Sequence, residues 1–357
     1  MLKKKYKVIG LMSGTSLDGV DLVYVTFNLD KVWKFSIHHT TTIPYNTYWI
    51  NILERLVILA ESELKKVDED YTFYLSNLIH DFITKFNIED VDAICSHGHT
   101  ALHQPDKGLT YQIGNLANIA NLLNQIVVCN FRVQDVELGG QGAPLVPIGE
   151  QFLFPQYDYC INLGGFANIS TKINNTRIAY DICPVNIVLN HYVKQFGFDY
   201  DDEGKIASTG KINSSLLHQL NDLKFYKQDY PKSLGLEWVK DTIFPLIDSF
   251  NVSIEDVLRT FIEHIAIQIS KEMRIEKDAS ALITGGGVFN LLLTERIQNS
   301  TNANIIIPSK EIIEYKEALI FGLLGVLKLR DEVNCLSSVT GAKRNHSSGK
   351  IFHPLKT

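Results

Sequence analysis

Near the N-terminus the apolar positions come in short runs rather than at helical spacing. Val8–Met12 reads as a buried strand, Val20–Phe27 as a second, and Trp33–His39 as a third after a turn at Asn28-Leu29-Asp30. Between the first two lies a loop of small and hydroxyl residues, Ser13-Gly14-Thr15-Ser16-Leu17-Asp18-Gly19. The period then becomes helical over 47–66 and 70–87, and a strand at 91–95 runs into Ser96-His97-Gly98-His99-Thr100. The second half repeats the opening layout. A strand at Tyr157–Leu163 leads to a Gly-rich loop, Gly164-Gly165-Phe166-Ala167-Asn168, then a strand at Ile169–Ile173, a turn at Asn174-Asn175 and a strand at Arg177–Ile182. Strand, small-residue loop, strand, turn, strand thus occurs twice, about 150 residues apart, which predicts a duplicated unit. Further on, Ser253-Ile254-Glu255-Asp256 has the form of a capping box, opening a helix with Ile254, Val257, Leu258, Phe261 and Ile265 on one face. Ala281–Thr284 predicts a strand ending in Gly285-Gly286-Gly287, and Tyr315–Leu329 a last helix.

A chain of 357 residues, 45% of them hydrophobic, is long enough for two domains at roughly 100–200 residues each. Pro147 and Pro155 mark the expected boundary, giving domains over 1–153 and 154–357, with the last helix a candidate to return to the first. A net charge of −6 offers no electrostatic case for nucleic acid. Five scattered cysteines without a C-x-x-C pair fit reduced thiols rather than a disulfide scaffold or a zinc site. The lysine-rich start imitates a signal peptide, but its apolar run stops at Ser13, and the longest apolar stretch, Ala318–Leu327, is about half of what a bilayer needs. A soluble, cytoplasmic protein without membrane partners is expected.

A loop of Gly, Ser and Thr between strands aims several backbone N–H groups at one anion, because glycine permits close approach. Three such loops, at Gly14, Gly164 and Gly285, would bracket a nucleotide between two domains. Each taken alone is equally a tight turn. No G-x-x-x-x-G-K-[ST], no G-x-G-x-x-G opening a helix, no protein-kinase motif set and no G-x-S-x-G elbow occurs, which excludes a P-loop enzyme and weakens a dehydrogenase. Asp181 at a strand end is a candidate general base or a turn cap. Glu317, at the start of the predicted last helix, is a candidate ligand or a first-turn acid facing the helix dipole. His97, His99 and His103 match no metalloenzyme spacing, so hydrogen bonding to a polar ligand or loop packing is expected in place of a metal. Arg132 and Asp135 would clamp an anionic or polyhydroxy substrate, or equally pair with each other across a helical turn.

The string Gly10-Leu11-Met12-Ser13-Gly14-Thr15-Ser16-Leu17-Asp18-Gly19-Val20-Asp21 closely resembles the signature of the 1,6-anhydro-N-acetylmuramic acid kinases. Further blocks follow in family order: Ser96–Thr100 with His103 and Pro105, Tyr111–Asn115, Phe131-Arg132 through Gly139–Pro147, Asn162–Asn168, Pro231-Lys232-Ser233, Gly285–Gly287 with Asn290, Glu317-Ala318 and Thr340-Gly341-Ala342. The resemblance spans essentially the whole chain. It implies an α/β, two-domain actin-like fold, a duplicated ribonuclease H-like unit of the sugar kinases with an inter-domain cleft for ATP and substrate.

By that resemblance, Gly14, Thr15, Ser16, Leu17, Asp18, Gly19, Val20 and Asp21 form the first phosphate loop for ATP. Gly164, Gly165 and Asn168 form the second, and Gly285, Gly286 and Gly287 lie on the nucleoside side. Asp181 matches the catalytic aspartate, and His97, Arg132, Asp135 and Glu317 fall in blocks that line the sugar pocket. The reaction implied uses ATP, with Mg²⁺ carried by the nucleotide and no metal held by protein ligands, on a small-molecule anhydrosugar; a homodimer suits the family. Two departures stand out. The family's Asp-Thr-Gly-Pro-Gly-Asn is here Asp181-Ile182-Cys183-Pro184-Val185-Asn186, and its Asp before Phe-Arg is Asn130. Bulkier Cys183 and Val185 are expected to narrow the pocket beside the base. They leave a kinase for another anhydrosugar such as levoglucosan, or an inactive sugar-binding regulator, as the alternatives.

Overall fold

The computed structural model describes residues 3–14, 16–273 and 279–355. The chain divides into two compact units, one of Met1–Phe154 with Tyr315–Thr357 and one of Pro155–Glu314. In chain order the first unit contributes β1 (Lys5–Ser13), β2 (Gly19–Leu29), β3 (Trp33–Pro44), α1 (Thr47–Leu53), α2 (Glu61–Lys85), β4 (Ala93–Ser96), β5 (His99–Gln104), β6 (Leu109–Ile113), β7 (Val127–Cys129) and α3 (Val133–Glu137). The second contributes β8 (Tyr159–Leu163), β9 (Phe166–Ile173), β10 (Thr176–Pro184), α4 (Asn186–Val193), α5 (Ile254–Glu272), β11 (Ser280–Thr284) and β12 (Asn304–Ile306). Then come α6 (Lys310–Leu329), most of it in the first unit, and β13 (Lys350–Phe352).

The first unit's main sheet runs β13-β7-β4-β1-β2-β3, and the second unit's runs β10-β9-β8-β11-β12. In both, the first strand pairs antiparallel with the second and parallel with the fourth, the second with the third antiparallel, and the fourth with the fifth parallel. The duplication expected from the order of elements is therefore real at the level of strand order. It is the duplicated ribonuclease H-like sheet of the actin-like sugar-kinase fold.

Several boundaries differ from the sequence pattern. The predicted break between helices at 67–69 falls instead at 54–60, and α2 runs unbroken through it. Leu59 and Ala60 are extended there, and the Glu63 carboxylate takes the Ala60 N–H at 3.0 Å, so the helix is started by an acid in its first turn rather than by a capping residue. Ser253 does cap α5, accepting the Asp256 N–H at 3.3 Å. The turn expected at Asn28–Asp30 sits later, since β2 extends to Leu29. The Gly-rich loop closes at Gly165, and Ala167 and Asn168 are already in β9, paired with β8 and β10. The last helix starts at Lys310, which puts Glu317 two turns inside it and removes the helix-dipole explanation for that acid.

α6 lies directly on the first unit's sheet. A Cβ placed on Gly10 of β1 would come within 2.1 Å of the Ala318 carbonyl oxygen, and one on Gly325 within 2.2 Å of Cys95 Sγ. The helix 146–153 docks on the same helix through Gly149, whose Cβ would lie 2.4 Å from Ile320 Cγ2, and through the buried Lys316–Glu150 pair at 2.8 Å. Gly322 is different, its Cβ meeting only ordinary contacts at 3.4–3.7 Å. Gly10→Ala is therefore expected to cost about 1–3 kcal/mol through overpacking. Gly322→Ala should be neutral or stabilising, because alanine is the better helix former. Urea denaturation of both variants checks the contrast, and equal midpoints would contradict it.

Candidate functional site

In the first unit the chemistry gathers at the C-terminal end of β1. Ser13 ends the strand, and its hydroxyl lies 2.6 Å from the Tyr45 hydroxyl and 2.7 Å from His99 Nδ1. The Tyr71 hydroxyl donates to Ser13 Oγ at 3.1 Å and is itself hydrogen-bonded to Tyr45. All four side chains are buried. Burial holds His99 neutral, pushing its pKa down to about 4. Beyond Ser13 the loop turns through Leu17 at φ 60°, and Ser16 donates its hydroxyl to the Asp18 carboxylate at 2.7 Å. Thr15, expected in this loop, lies outside the described residues. Gly19 packs so closely on β3 that a Cβ would sit 2.4 Å from the Ile43 carbonyl, and Val20 is wholly buried in the core. Asp21, on the same strand, accepts the Thr42 hydroxyl at 2.6 Å.

His97 follows β4. Its Nδ1 donates to the Gly98 carbonyl at 2.9 Å, which leaves Nε2 to accept from Arg132 Nε at 2.8 Å. Burial, with the Arg132 charge adding to it, keeps this imidazole neutral far below its ordinary pKa. Arg132 Nη1 also donates to the Gly142 carbonyl at 2.7 Å. Asp135 does not pair with Arg132 across the turn. Its carboxylate accepts the Gly142 N–H at 2.7 Å and the Thr340 hydroxyl at 2.7 Å, with no exposed surface. Arg132 and Asp135 thus grip the loop 139–144 from both ends of Gly142. Glu317, half-buried, receives no hydrogen bond among the described residues, and burial raises its pKa against the pull of Lys316 and Arg132. Its field reaches both Arg132 and Asp18, so these three predicted site residues, with His97, form one polar patch beside the loop after β1. His103, on β5, is bonded to Thr110 at 3.0 Å and lies beside the loop 139–144, its ring 3.3 Å from where a Cβ on Gly142 would sit.

In the second unit the two remaining glycine loops adjoin. β8 and β11 run parallel, so Gly164-Gly165 and Gly285–Gly287 leave the sheet at the same end. A Cβ on Gly285, at φ 87°, would lie 2.7 Å from Asn162 Oδ1 and one on Gly287 2.7 Å from Leu163 Cβ. The carbonyls of Gly164 and Gly165 are taken by the N–H groups of Asn186 and Val185 at the start of α4. Asp181, Asn168 and Asn162 sit directly opposite one another on β10, β9 and β8, and so share one face.

Asp181 is clamped by a segment the sequence pattern did not single out for this role. Its N–H donates to the Lys232 carbonyl at 3.1 Å, and its Oδ2 accepts the Leu234 N–H at 2.8 Å. Lys232 is pinned in turn by Glu272 at 3.1 Å and lies over the Tyr180 and Phe225 rings. Burial raises the Asp181 pKa, and the Leu234 N–H partly offsets this. A β-bulge between Asp181 and Cys183 turns the altered residues inward: Cys183 and Val185 are fully buried in the unit's apolar cluster, so they do not narrow an opening beside the base. Tyr45, Tyr71 and Leu234 were missed, and Lys232 was named only as part of a family block, because no spacing links them to the residues they hold.

The anhydro-N-acetylmuramic acid kinase family model matches residues 6–354. Curated relatives of that name include one from Mannheimia succiniciproducens, 33% identical over 99% of this chain and 100% of the relative, and one from Vibrio vulnificus, 32% identical over 98% and 99%. A third, from a Sulfurovum species, is 32% identical over 99% and 100%. Among solved structures, a ligand-bound xylulose kinase from Lactobacillus acidophilus is 12% identical, covering 98% of this chain and 94% of its own, with a TM-score of 0.45.

The buried imidazoles give a pH signature. His99 at about 4 and His264 at about 3 titrate in the folded chain well below the 6.5 of an exposed histidine. Between those values the unfolded chain binds protons that the folded chain refuses, so this contribution to stability is present above about pH 6.5 and is lost as pH falls. Thermal unfolding from pH 7 to pH 4 should show that loss, and a smaller one in His99→Gln. An unchanged slope in the variant would count against a neutral buried His99.

Proposed function

The chain belongs to the anhydro-N-acetylmuramic acid kinase family, and from that premise we propose which reaction its residues carry out. It is an ATP-dependent kinase acting on a small sugar. In the proposed reaction water opens the 1,6-anhydro bridge of 1,6-anhydro-N-acetylmuramic acid and O6 is phosphorylated, giving N-acetylmuramic acid 6-phosphate and ADP, a step of peptidoglycan recycling in the cytoplasm. The observation that carries this reading is the carboxylate of Asp181, held by the Leu234 N–H at 2.8 Å, with a pKa that burial raises and that N–H partly offsets.

Asp181 takes a proton from water as the water oxygen bonds to C1. The C1–O6 bond breaks, and O6 takes the γ-phosphoryl group. The backbone of the three glycine loops, with Ser16, Asp18 and Asn168, would hold the nucleotide. The donors of the first loop are all oxygen or amide, which fits a hard cation such as Mg²⁺ arriving with the triphosphate; bound there it neutralises phosphate charge. His97 is neutral and its Nε2 is occupied by Arg132, so its role is to orient that guanidinium. Arg132 and Glu317 would face the sugar, and Asp135, having no exposed surface, would position the loop 139–144 that carries the rest of the pocket. The inward turn of Cys183 and Val185 supports the unaltered substrate over another anhydrosugar. We infer a homodimer from the family, with the exposed apolar Tyr48, Val57 and Ile58 as surface a second copy would cover.

Incubation with Mg-ATP and the anhydrosugar in H₂¹⁸O is expected to give the 6-phosphate with label at C1, read by mass spectrometry. Asp181→Asn should lower kcat by roughly 10²–10⁴-fold with ATP affinity unchanged. Unlabelled product, or a fully active variant, would remove Asp181 from this role.

A further inference from the structure

Away from the reacting groups, one buried cluster gathers three side chains of metal-ligand type. A carboxylate oxygen of Asp135, Cys335 Sγ and an imidazole nitrogen of His346 all lie within 4.8 Å of one another. The Cys335 thiol donates to Asp135 Oδ1 at 3.1 Å, and His346 Nε2 is 3.6 Å from the same oxygen. Zinc bond lengths in a tetrahedron put ligand atoms roughly 3.4–3.8 Å apart, so these separations need little adjustment. Cys335 and His346 face each other across an isolated antiparallel bridge, with backbone hydrogen bonds of 3.1 and 3.2 Å in both directions. The backbone therefore presets two of the three donors.

The second observation is an unpaired nitrogen. His346 Nδ1 lies 3.1 Å from the Arg344 carbonyl and so carries the proton, leaving a lone pair on Nε2. That Nε2 is buried and has no hydrogen-bond partner among the described residues. It faces the Asp135 oxygen at 3.6 Å, beyond hydrogen-bond reach, and both atoms are acceptors. The Asp135 oxygen already accepts from Thr340 and Cys335, whereas His346 Nε2 is left a buried acceptor with no donor, and such a group is unfavourable without something positive beside it.

We propose that Asp135, Cys335 and His346 bind one zinc-class divalent cation. Sulfur and imidazole donors select zinc or cobalt over magnesium or calcium. The carboxylate and a thiolate together cancel the two positive charges, so the interior gains no net charge. On binding, the thiol proton leaves to solvent and the Sγ–metal bond forms, without any redox change. Thr340, whose hydroxyl is 2.7 Å from Asp135 Oδ1, or a water completes the tetrahedron. The ion would tie the C-terminal segment to α3, and it stands independently of the kinase reading.

The test uses the purified full-length chain, stripped of metal and titrated with Co²⁺ and separately with Zn²⁺. One equivalent of Co²⁺ is expected to give a thiolate-to-cobalt charge-transfer band in the near ultraviolet, and Zn²⁺ to raise the melting temperature, whereas Mg²⁺ alone gives neither. Cys335→Ser should abolish the band, and His346→Gln should weaken Co²⁺ binding by roughly tenfold or more. Wild-type protein without the band overturns the site whatever the variants do. So does a band that survives Cys335→Ser, or an unchanged affinity in His346→Gln, which keeps the thiol and serves if the cysteine variant fails to fold.

Discussion

The first unit depends on a helix that meets its sheet backbone to backbone. At Gly10 the carbonyl of Ala318 occupies the space a Cβ would need, and at Gly325 the same is true of Cys95 Sγ. Such an approach leaves no slack, since interiors are close-packed and a single added carbon must move a whole element. Its consequence for chemistry is direct. Glu317 precedes Ala318 by one residue and Ser13 follows Gly10 by three, so the contact that seats the helix also sets the acid beside the loop that leaves β1. The buried Lys316–Glu150 pair fixes the rotation of the helix, because breaking either partner would strand a charge in the interior.

Around this contact the polar groups are satisfied by each other. Ser13, Tyr45, Tyr71 and His99 form one closed cluster, and His97, Arg132 and Gly142 another. Both clusters require neutral imidazoles, which burial enforces. In the second unit the Asp181 clamp works differently. There a backbone N–H of a distant segment bonds the carboxylate while a carbonyl of the same segment takes the Asp181 N–H, and Lys232 holds that segment with its ammonium over aromatic rings while pairing with Glu272. A general base needs a fixed direction as well as a suitable pKa, and the clamp supplies the first.

Where the sequence pattern failed, the failures share a cause. The start of α2 went unseen because Ala60 is no usual cap and the signal lay in Glu63. Glu317 was read as a first-turn acid because the residues before Tyr315 lack a strong apolar period, although the helix begins at Lys310. Cys183 and Val185 were expected to face an opening, but the bulge beside Asp181 changes which way successive side chains point. Asp135 read as a partner for Arg132, and it serves instead as the acceptor for Gly142, seven residues on, and for Thr340, 205 residues away in sequence.

By itself the sequence determined the repeated order of strands, the three glycine loops at strand ends, the helix cap at Ser253 and, through its family signature, Asp181 as the candidate base. These are legible because local rules govern them: apolar period, turn residues and capping act over a few positions. Tertiary structure alone decided that two glycine loops adjoin across β8 and β11, that Leu234 and Lys232 hold Asp181, and that Asp135, Cys335 and His346 converge. Those arrangements join segments tens to hundreds of residues apart, and only closure of the chain and the packing of its interior bring such groups within bonding distance.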